Sequence, residues 1–551
     1  MVTRPLTRHR GHRAGIILPI TWAGLPTVMV AVMAVNGLAA CGSSLDSGAG
    51  LESPDFDNGG RTDVGQGGSG SDDDFGPDSG FIPEPEQEDK RVPPAASQRY
   101  VYVAVPAAGF VARIDSVTLA VTPIPVGENP TTVLAAAGTD TAIVLNRASD
   151  SVSVIESSPD GAQVTDLDIL EGCNELALDS SGRFAVAWFS NRAAESGDRI
   201  GSLQEVSLLN LQSLQVFTVT VGFNVRGVTF ADDGERLLVV SDSGVSVIAT
   251  ASVTTDQYVA PTSLGDDPLA DVTDREVVAS PSARWVLARN SSESGIRVLD
   301  VETDGLEFFA LPAVPTDVDI LEDQGVALVA VRDAATLAVV DLDGEGSGAV
   351  ELLDTTPAPA GVATPLPDGS AALLHTGDPS RTDVGLIGLP EGGILDIFTL
   401  RKSVVAVYPS PDGRRALVAH PIEALPPGAS ALEARVRATN AMSLVDLESG
   451  YAKLMLLNSA PDDVLFTPES DAVFILNNAE GVEGTVHWLN LNTFSQTSYT
   501  FPLRPDAIGW VAEGRRLFVV QDDAAGRLTF IDVDDGAVFE VSSFALNGLV
   551  E

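Results

Sequence analysis

The chain alternates short apolar runs with polar punctuation, and the clearest example lies near its end. Over 506–541 the runs Ile508-Gly509-Trp510-Val511, Arg516-Leu517-Phe518-Val519-Val520, Leu528-Thr529-Phe530-Ile531-Asp532 and Val538-Phe539-Glu540-Val541 are separated by breaks rich in Asp, Glu and Gly. Runs of four or five Val, Ile and Phe residues between turn signals predict strands. Four such strands form a meander that cannot hide both of its faces alone, so copies must stack. The third strand of each copy aligns most easily. It falls at 111–115, 152–156, 206–210, 245–249, 296–300, 337–341, 384–388, 442–446, 487–490 and 528–532. The period is roughly 45 residues, within the range of propeller blades. Helical repeats would require a 3.6-residue period, which is absent.

The remaining strands fall into register through their turns. Ser180-Ser181-Gly182-Arg183, Asp232-Asp233-Gly234-Glu235, Pro367-Asp368-Gly369-Ser370 and Ser410-Pro411-Asp412-Gly413 connect first to second strands. Gly supplies the positive dihedral of such turns and Pro presets a negative one. After the third strand, Asp300 and Asp446 begin a second turn, in which the carboxylate can accept backbone N–H groups. These aspartates are therefore explained as turn chemistry. The expected fold is all-β: a β-propeller of four-stranded blades over 98–551, with about ten repeat units. Either one large ring or an irregular ring of 7–10 blades satisfies the pattern. Residues 544–550 are expected to close the ring by supplying the missing strand beside 100–105. Insertions at 191–202 and 421–439 are expected to be loops on one face, where propellers bind.

The first copy, Tyr102-Val103-Ala104-Val105, then Val111-Ala112-Arg113-Ile114-Asp115, then Ile124-Pro125-Val126-Gly127-Glu128-Asn129-Pro130, resembles the YVTN family of bacterial propellers. The resemblance is good in two copies and loose later. It covers about residues 100–544. Asn146 and Asn290 keep that family's Asn at the end of the second strand, and His375 and His420 lie near the equivalent point of neighbouring copies.

The N-terminal sixth is different. Residues 1–15 carry four Arg, residues 16–33 are apolar but interrupted by Pro19 and Pro26, and Leu38-Ala39-Ala40-Cys41 follows. A basic start, an apolar core and a small-residue site read as an export signal over 1–40. Interior prolines argue against a spanning helix, at about 3 kcal/mol each. The tetrapeptide resembles the lipobox of bacterial lipoproteins. That likeness implies cleavage before Cys41, acylation of Cys41, and membrane attachment through several acyl chains. Gly42 after the Cys implies, by the same likeness, the outer membrane of a bacterial cell envelope. Residues 42–97 hold 11 Gly and 13 acidic residues against three basic ones. Such a composition reads as a disordered tether with a root-mean-square span of about 40 Å.

Charge narrows the partners. Lys and Arg number 32 against 77 Asp and Glu, a net charge of −45. A field of that sign repels nucleic acid and anionic headgroups. Divalent cations are compatible with the charge, but the Asp clusters lack the spacing of a calcium loop. Hydrophobic content of 44% suits a folded protein; aromatic residues make up only 6%, and Trp188-Phe189, Trp285, Trp488 and Trp510 sit within strand runs, where core packing explains them. Cys173 would be a lone buried thiol. No Cys-x-x-Cys-His, His-Glu-x-x-His, Gly-x-Ser-x-Gly or P-loop is present.

No catalytic residue and no cofactor is assigned. His375 and His420, with Asp378 and Glu423 nearby in sequence, form the best candidate constellation for a metal or an acid–base pair; otherwise they are polar strand ends facing water. The expected function is a non-catalytic binding or assembly platform for a protein partner or small ligand. Propeller lipoproteins of the outer-membrane assembly machinery are similar in plan, though their repeat motif differs. The alternative is a lactonase-like hydrolase with axial carboxylates.

Overall fold

The computed structural model describes residues 32–33 and 95–546, apart from 137, 195–198, 266–274, 345, 391 and 479–482. Cys41, residues 1–40 apart from Val32–Met33, and residues 42–94 lie outside the described residues, whereas 95–97, expected to belong to the tether, are described and form part of blade 1.

Ten antiparallel sheets follow one another along the chain as the blades of one propeller ring. All ten third strands fall where the repeat places them, from Phe110–Asp115 in blade 1 to Arg527–Asp532 in blade 10. Second and third strands are buried on both faces, which accounts for their near-continuous runs of Val, Ile, Leu and Ala. The buried side chains sort into ten apolar clusters, one for each pair of neighbouring blades. Along the second strand of blade 2, Ala142 and Val144 pack toward blade 1, while Ile143 and Leu145 pack toward blade 3. The period-2 alternation of a strand thus feeds two interfaces at once. Fourth strands form the outer rim and are largely exposed, as in Gln496–Thr500.

The expected turns hold. Gly182, Gly234, Gly369 and Gly413 all have φ between 66° and 70°. Asp115 accepts the N–H groups of Val117 and Thr118, and Asp446 that of Ser449. The first turns also link neighbouring blades. Ser180 Oγ donates to Asp232 O, Asp232 N to Pro281 O, and Gln324 Nε2 to Gly369 O.

Three features depart from the expectation. The first strand of blade 1 is Ala95–Ala96, from the N-terminal side of Tyr100, and Phe544–Leu546, the described part of 544–550, form a 3-10 turn; 547–550 lie outside the described residues. Closure rests on side chains: Val101, Phe110 and Ile114 of blade 1 pack with Phe518, Phe530 and Phe544. Ser116 Oγ donates to Glu513 O and Glu513 N to Gln98 O across the same seam.

Blade 4 has three strands, not four. After Gly244–Ala249 the chain leaves for the rim of blade 3, where Gln257–Tyr258 pairs in parallel with Val219 and Thr220. It then returns, so that Thr262 bridges Val245. Gly244, at φ 128°, admits this return, because a Cβ there would lie 2.1 Å from Thr262 O. The third departure is that the insertion 421–439 contains a helix, Ala431–Arg437, with Ser430 as N-cap. Residues Val32–Met33 pair with Val277 and Val278 on the free edge of the first strand of blade 5.

Candidate functional site

Strand direction places the end of every second strand on the same face as the start of every first strand. Polar residues gather there: Asn146, Ser241, His375, His420, Asn477 and Gln521 each end a second strand, and each is buried. Their hydrogen bonds hold the loops of that face. Asn146 Nδ2 donates to Ser151 and Ser153, and Ser153 Oγ to Asp166. Asn477 Nδ2 donates to Ser459 and Ala460, while its Oδ1 accepts from Asn458 N. Gln521 Nε2 donates to Thr529 Oγ1 at 2.7 Å. Sequence reading found Asn146, His375 and His420 but missed Asn477 and Gln521, although both occupy the same register as Asn146.

His420 is held at both ring nitrogens, by Ser403 O and Ser443 Oγ, each at 2.8 Å. The Nδ1 partner is a carbonyl, so Nδ1 carries the proton and Nε2 accepts from the Ser443 hydroxyl. Burial lowers the pKa to about 4 against the raising effect of the Ser403 bond, so the ring is neutral at pH 7. His375 is likewise buried at the end of Ala371–His375.

The acids near these histidines have their own partners. Asp378 accepts from Ser380 N, and hydrogen bonds with Ser380 hold its pKa below the usual carboxylate range. Glu423 accepts from Ser403 N and Oγ through one oxygen and from Arg437 through the other. Among the described residues no group of three or more His, Cys, Asp or Glu side chains is gathered as a metal site.

Carboxylates do occur along the first strands, nearest the axis, on blades 3, 5, 6, 9 and 10. Glu175, whose pKa is raised by burial, begins the first strand of blade 3. Glu276 is buried and paired with Arg289, and buried Asp317 accepts from Ala363 N of the next blade. Glu276 thus ties the first strand of blade 5 to the second, and Asp317 ties blade 6 to blade 7.

The best-defined feature of this face is the blade-8 insertion. Lys402 lies fully buried beneath it, and its Nζ donates to Val436 O, Arg437 O and Thr439 O at 2.9, 3.3 and 3.0 Å. Val436 O and Arg437 O belong to the last helical turn, whose carbonyls have no intrahelical donor, and a cation there also meets the negative end of the helix dipole. Desolvation lowers the Lys402 pKa, while Glu423 opposes the shift. Arg437 bridges Glu423 and Glu433. Above this polar base, Ile422, Leu425 and Leu432 are 61%, 53% and 66% exposed. The insertion of blade 3, on the same face, is tied by Arg199 to Asp150 and Glu171. Cys173 is buried, and burial pushes its thiol up to about 12, so it is inert.

The ring and its strand order define the class: the chain is a ten-bladed β-propeller. Such a ring serves in general as a platform for binding or assembly. Among solved structures it is similar to the eukaryotic initiation factor at 11% identity, covering 73% of this chain and 96% of that one, with a TM-score of 0.50. It also matches dihydro-heme d1 dehydrogenase NirN in complex with DHE at 13% identity, 64% and 76% coverage and a TM-score of 0.40. Hydrazine synthase of Kuenenia stuttgartiensis matches at 14% identity, 68% and 96% coverage and a TM-score of 0.34. At these identities the likeness shows the fold alone. No family model and no curated protein matches the chain.

Proposed function

We propose that this protein is an exported, lipid-anchored propeller of the bacterial envelope that works as a non-catalytic binding or assembly platform. Cys41 within Leu38-Ala39-Ala40-Cys41 is the acylated residue, the acidic stretch behind it gives reach, and the propeller presents the partner surface. Membership of the YVTN-type propellers belongs to the same reading and rests on the first two repeats. The observation that carries the platform reading is the blade-8 insertion. A buried ammonium and a buried carboxylate fix a surface loop whose outward side chains are Ile422, Leu425 and Leu432. Exposed apolar groups on a rigid support are what a protein partner buries. His420, by contrast, spends both nitrogens on internal bonds.

Two measurements test this. Cys41→Ala should move the protein from the membrane to the soluble fraction; retention in the membrane would remove the anchor. Affinity capture from intact envelopes should recover a partner with the wild-type chain and lose it with Ile422→Asp/Leu432→Asp. A positive lactone-hydrolysis screen, abolished by Glu175→Gln, would replace the platform with the hydrolase reading.

A further inference from the structure

We infer that blades 4 and 5 form a binding site for a small oxyanion, a carboxylate or a phosphate, centred on the guanidinium of Arg275. Arg275 immediately precedes the first strand of blade 5, Glu276–Ala279, on the face where second strands end. Three further arginines enter the same corner of the ring. Arg226 lies near the start of the first strand of blade 4, Arg289 ends the second strand of blade 5, and Arg297 lies near the start of its third. Arg226 is the extra residue of a bulge, since Val225 faces Ser241 and Gly227 faces Val240. A bulge re-aims the side chain it carries.

Three of these four cations are paired. Arg226 meets Asp242, Arg289 meets Glu276, and Arg297 meets Glu293. Arg275 is nine-tenths buried, yet among the described residues its side chain forms no ion pair and no hydrogen bond. A guanidinium is always charged in a protein, and a buried charge without a counterion is costly. Burial, and next the like charges of Arg226 and Arg297, lower the Arg275 pKa against the pull of Glu293 and Asp242. Those two carboxylates already serve Arg297 and Arg226. Among the described residues the three pairs therefore leave one positive charge over, in a chain of net charge −45. The planar fork of a guanidinium matches an oxyanion, which can accept two parallel hydrogen bonds from it. Burial favours a small ligand over a macromolecular surface, which would meet exposed charges first. The site lies on blades 4 and 5 and does not involve the blade-8 insertion, so it goes beyond the platform reading and does not depend on it.

The test uses the purified full chain in Tris chloride, titrated with sodium phosphate and with sodium succinate while chloride holds the ionic strength constant. The melting temperature should rise with at least one of the two and saturate, and calorimetry should give one site per chain. A rise with phosphate alone assigns a phosphate ligand, and a rise with succinate alone a carboxylate. Arg275→Gln should weaken binding at least about tenfold, the loss expected for a charge-assisted hydrogen bond. In chloride alone the same variant should melt no lower than the wild type, because it removes an unpaired buried charge. Arg435→Gln, at an exposed arginine of the blade-8 helix, should bind as the wild type does. No saturable binding by the wild type overturns the inference. So does binding that Arg275→Gln leaves unchanged, or a marked fall in that variant's melting temperature in chloride, which would reveal an internal partner. Residues 266–274, outside the described residues, contain four Asp. Binding that appears only after Asp271→Asn/Asp274→Asn also overturns it, since the chain would then supply the carboxylate itself.

Discussion

Replacing Lys402 with Met separates the stability of the insertion from that of the ring. Methionine keeps the apolar stem and removes the ammonium. Val436 O, Arg437 O and Thr439 O then lose the ammonium, although Arg437 O keeps Glu423 N and Val436 O keeps the Thr439 hydroxyl, which leaves Thr439 O as the carbonyl most exposed to the loss. Stranding one buried carbonyl costs about 1–3 kcal/mol. Removing one partner of a buried ionic contact costs about 3–5 kcal/mol. The three costs do not add in full, because the insertion is superficial and water reaches the carbonyls once it loosens. Glu423 also keeps Arg437 and Ser403. We therefore expect about 3–4 kcal/mol, which at about 1.4 kcal/mol per decade is a two- to three-decade rise in local opening. Hydrogen exchange over 431–438 should accelerate by that factor, and trypsin should cut after Arg435 and Arg437. The ten inter-blade clusters do not contain Lys402 or the helix, so exchange in the second strands should not change. Unchanged exchange and cleavage at the insertion would refute the pinning role. Loss of protection throughout the ring would show that the insertion is part of the global fold.

Three further outcomes follow from buried groups and backbone. Burial depresses the pKa of His420 to about 4 in the folded state against the ordinary 6.5, so the unfolded chain binds the extra proton between those values. Its contribution is complete above pH 6.5 and is lost as pH falls toward 4, by up to about 3 kcal/mol; His420→Gln should flatten that part of the pH–stability curve measured by denaturant titration. Gly244→Ala meets Thr262 O and a positive φ at once, and should destabilise blade 4 by about 2–3 kcal/mol in denaturant melts. No change would mean that Thr262 is not seated there. Cys173 should resist thiol reagents in the native protein and react at the rate of unfolding, while rapid native labelling would contradict its burial.

Closure without a shared strand has a mechanical consequence. In this ring the seam between blades 1 and 10 uses the same kind of apolar contact as the other nine, supplemented by hydrogen bonds around Glu513. Among the described residues no strand from the C-terminal end covers the first blade. The C-terminal turn contributes Phe544, which is buried in the seam beside Gly526. The closing elements are thus aromatic side chains on both termini of the ring, and their burial does the work expected of a strand.

The amino-acid pattern alone determined the all-β repeat and the place of every third strand, while the number of blades, left at 7–10 by the pattern, was decided by the tertiary structure. The repeat and its strand positions follow from local rules: side chains alternate with period 2, and Gly, Pro and Asp mark turns whose geometry depends on a few adjacent residues. The aspartates of the second turn were readable for the same reason. What seals the ring, where blade 4 sends its fourth segment, and how the blade-8 insertion is held were decided only in three dimensions. Ala95–Ala96 is too short to announce a strand, and the bridge from Thr262 to Val245 spans a gap that no local pattern encodes. Lys402 reads as an ordinary surface cation until the helix C-terminus, more than thirty residues later, is laid over it. His420 reads as either a ligand or a polar strand end facing water until it is found buried, with Ser403 and Ser443 on its two nitrogens. Burial and hydrogen-bond partners are properties of neighbours in space, and a repeat brings together residues from separate copies that the chain order keeps apart.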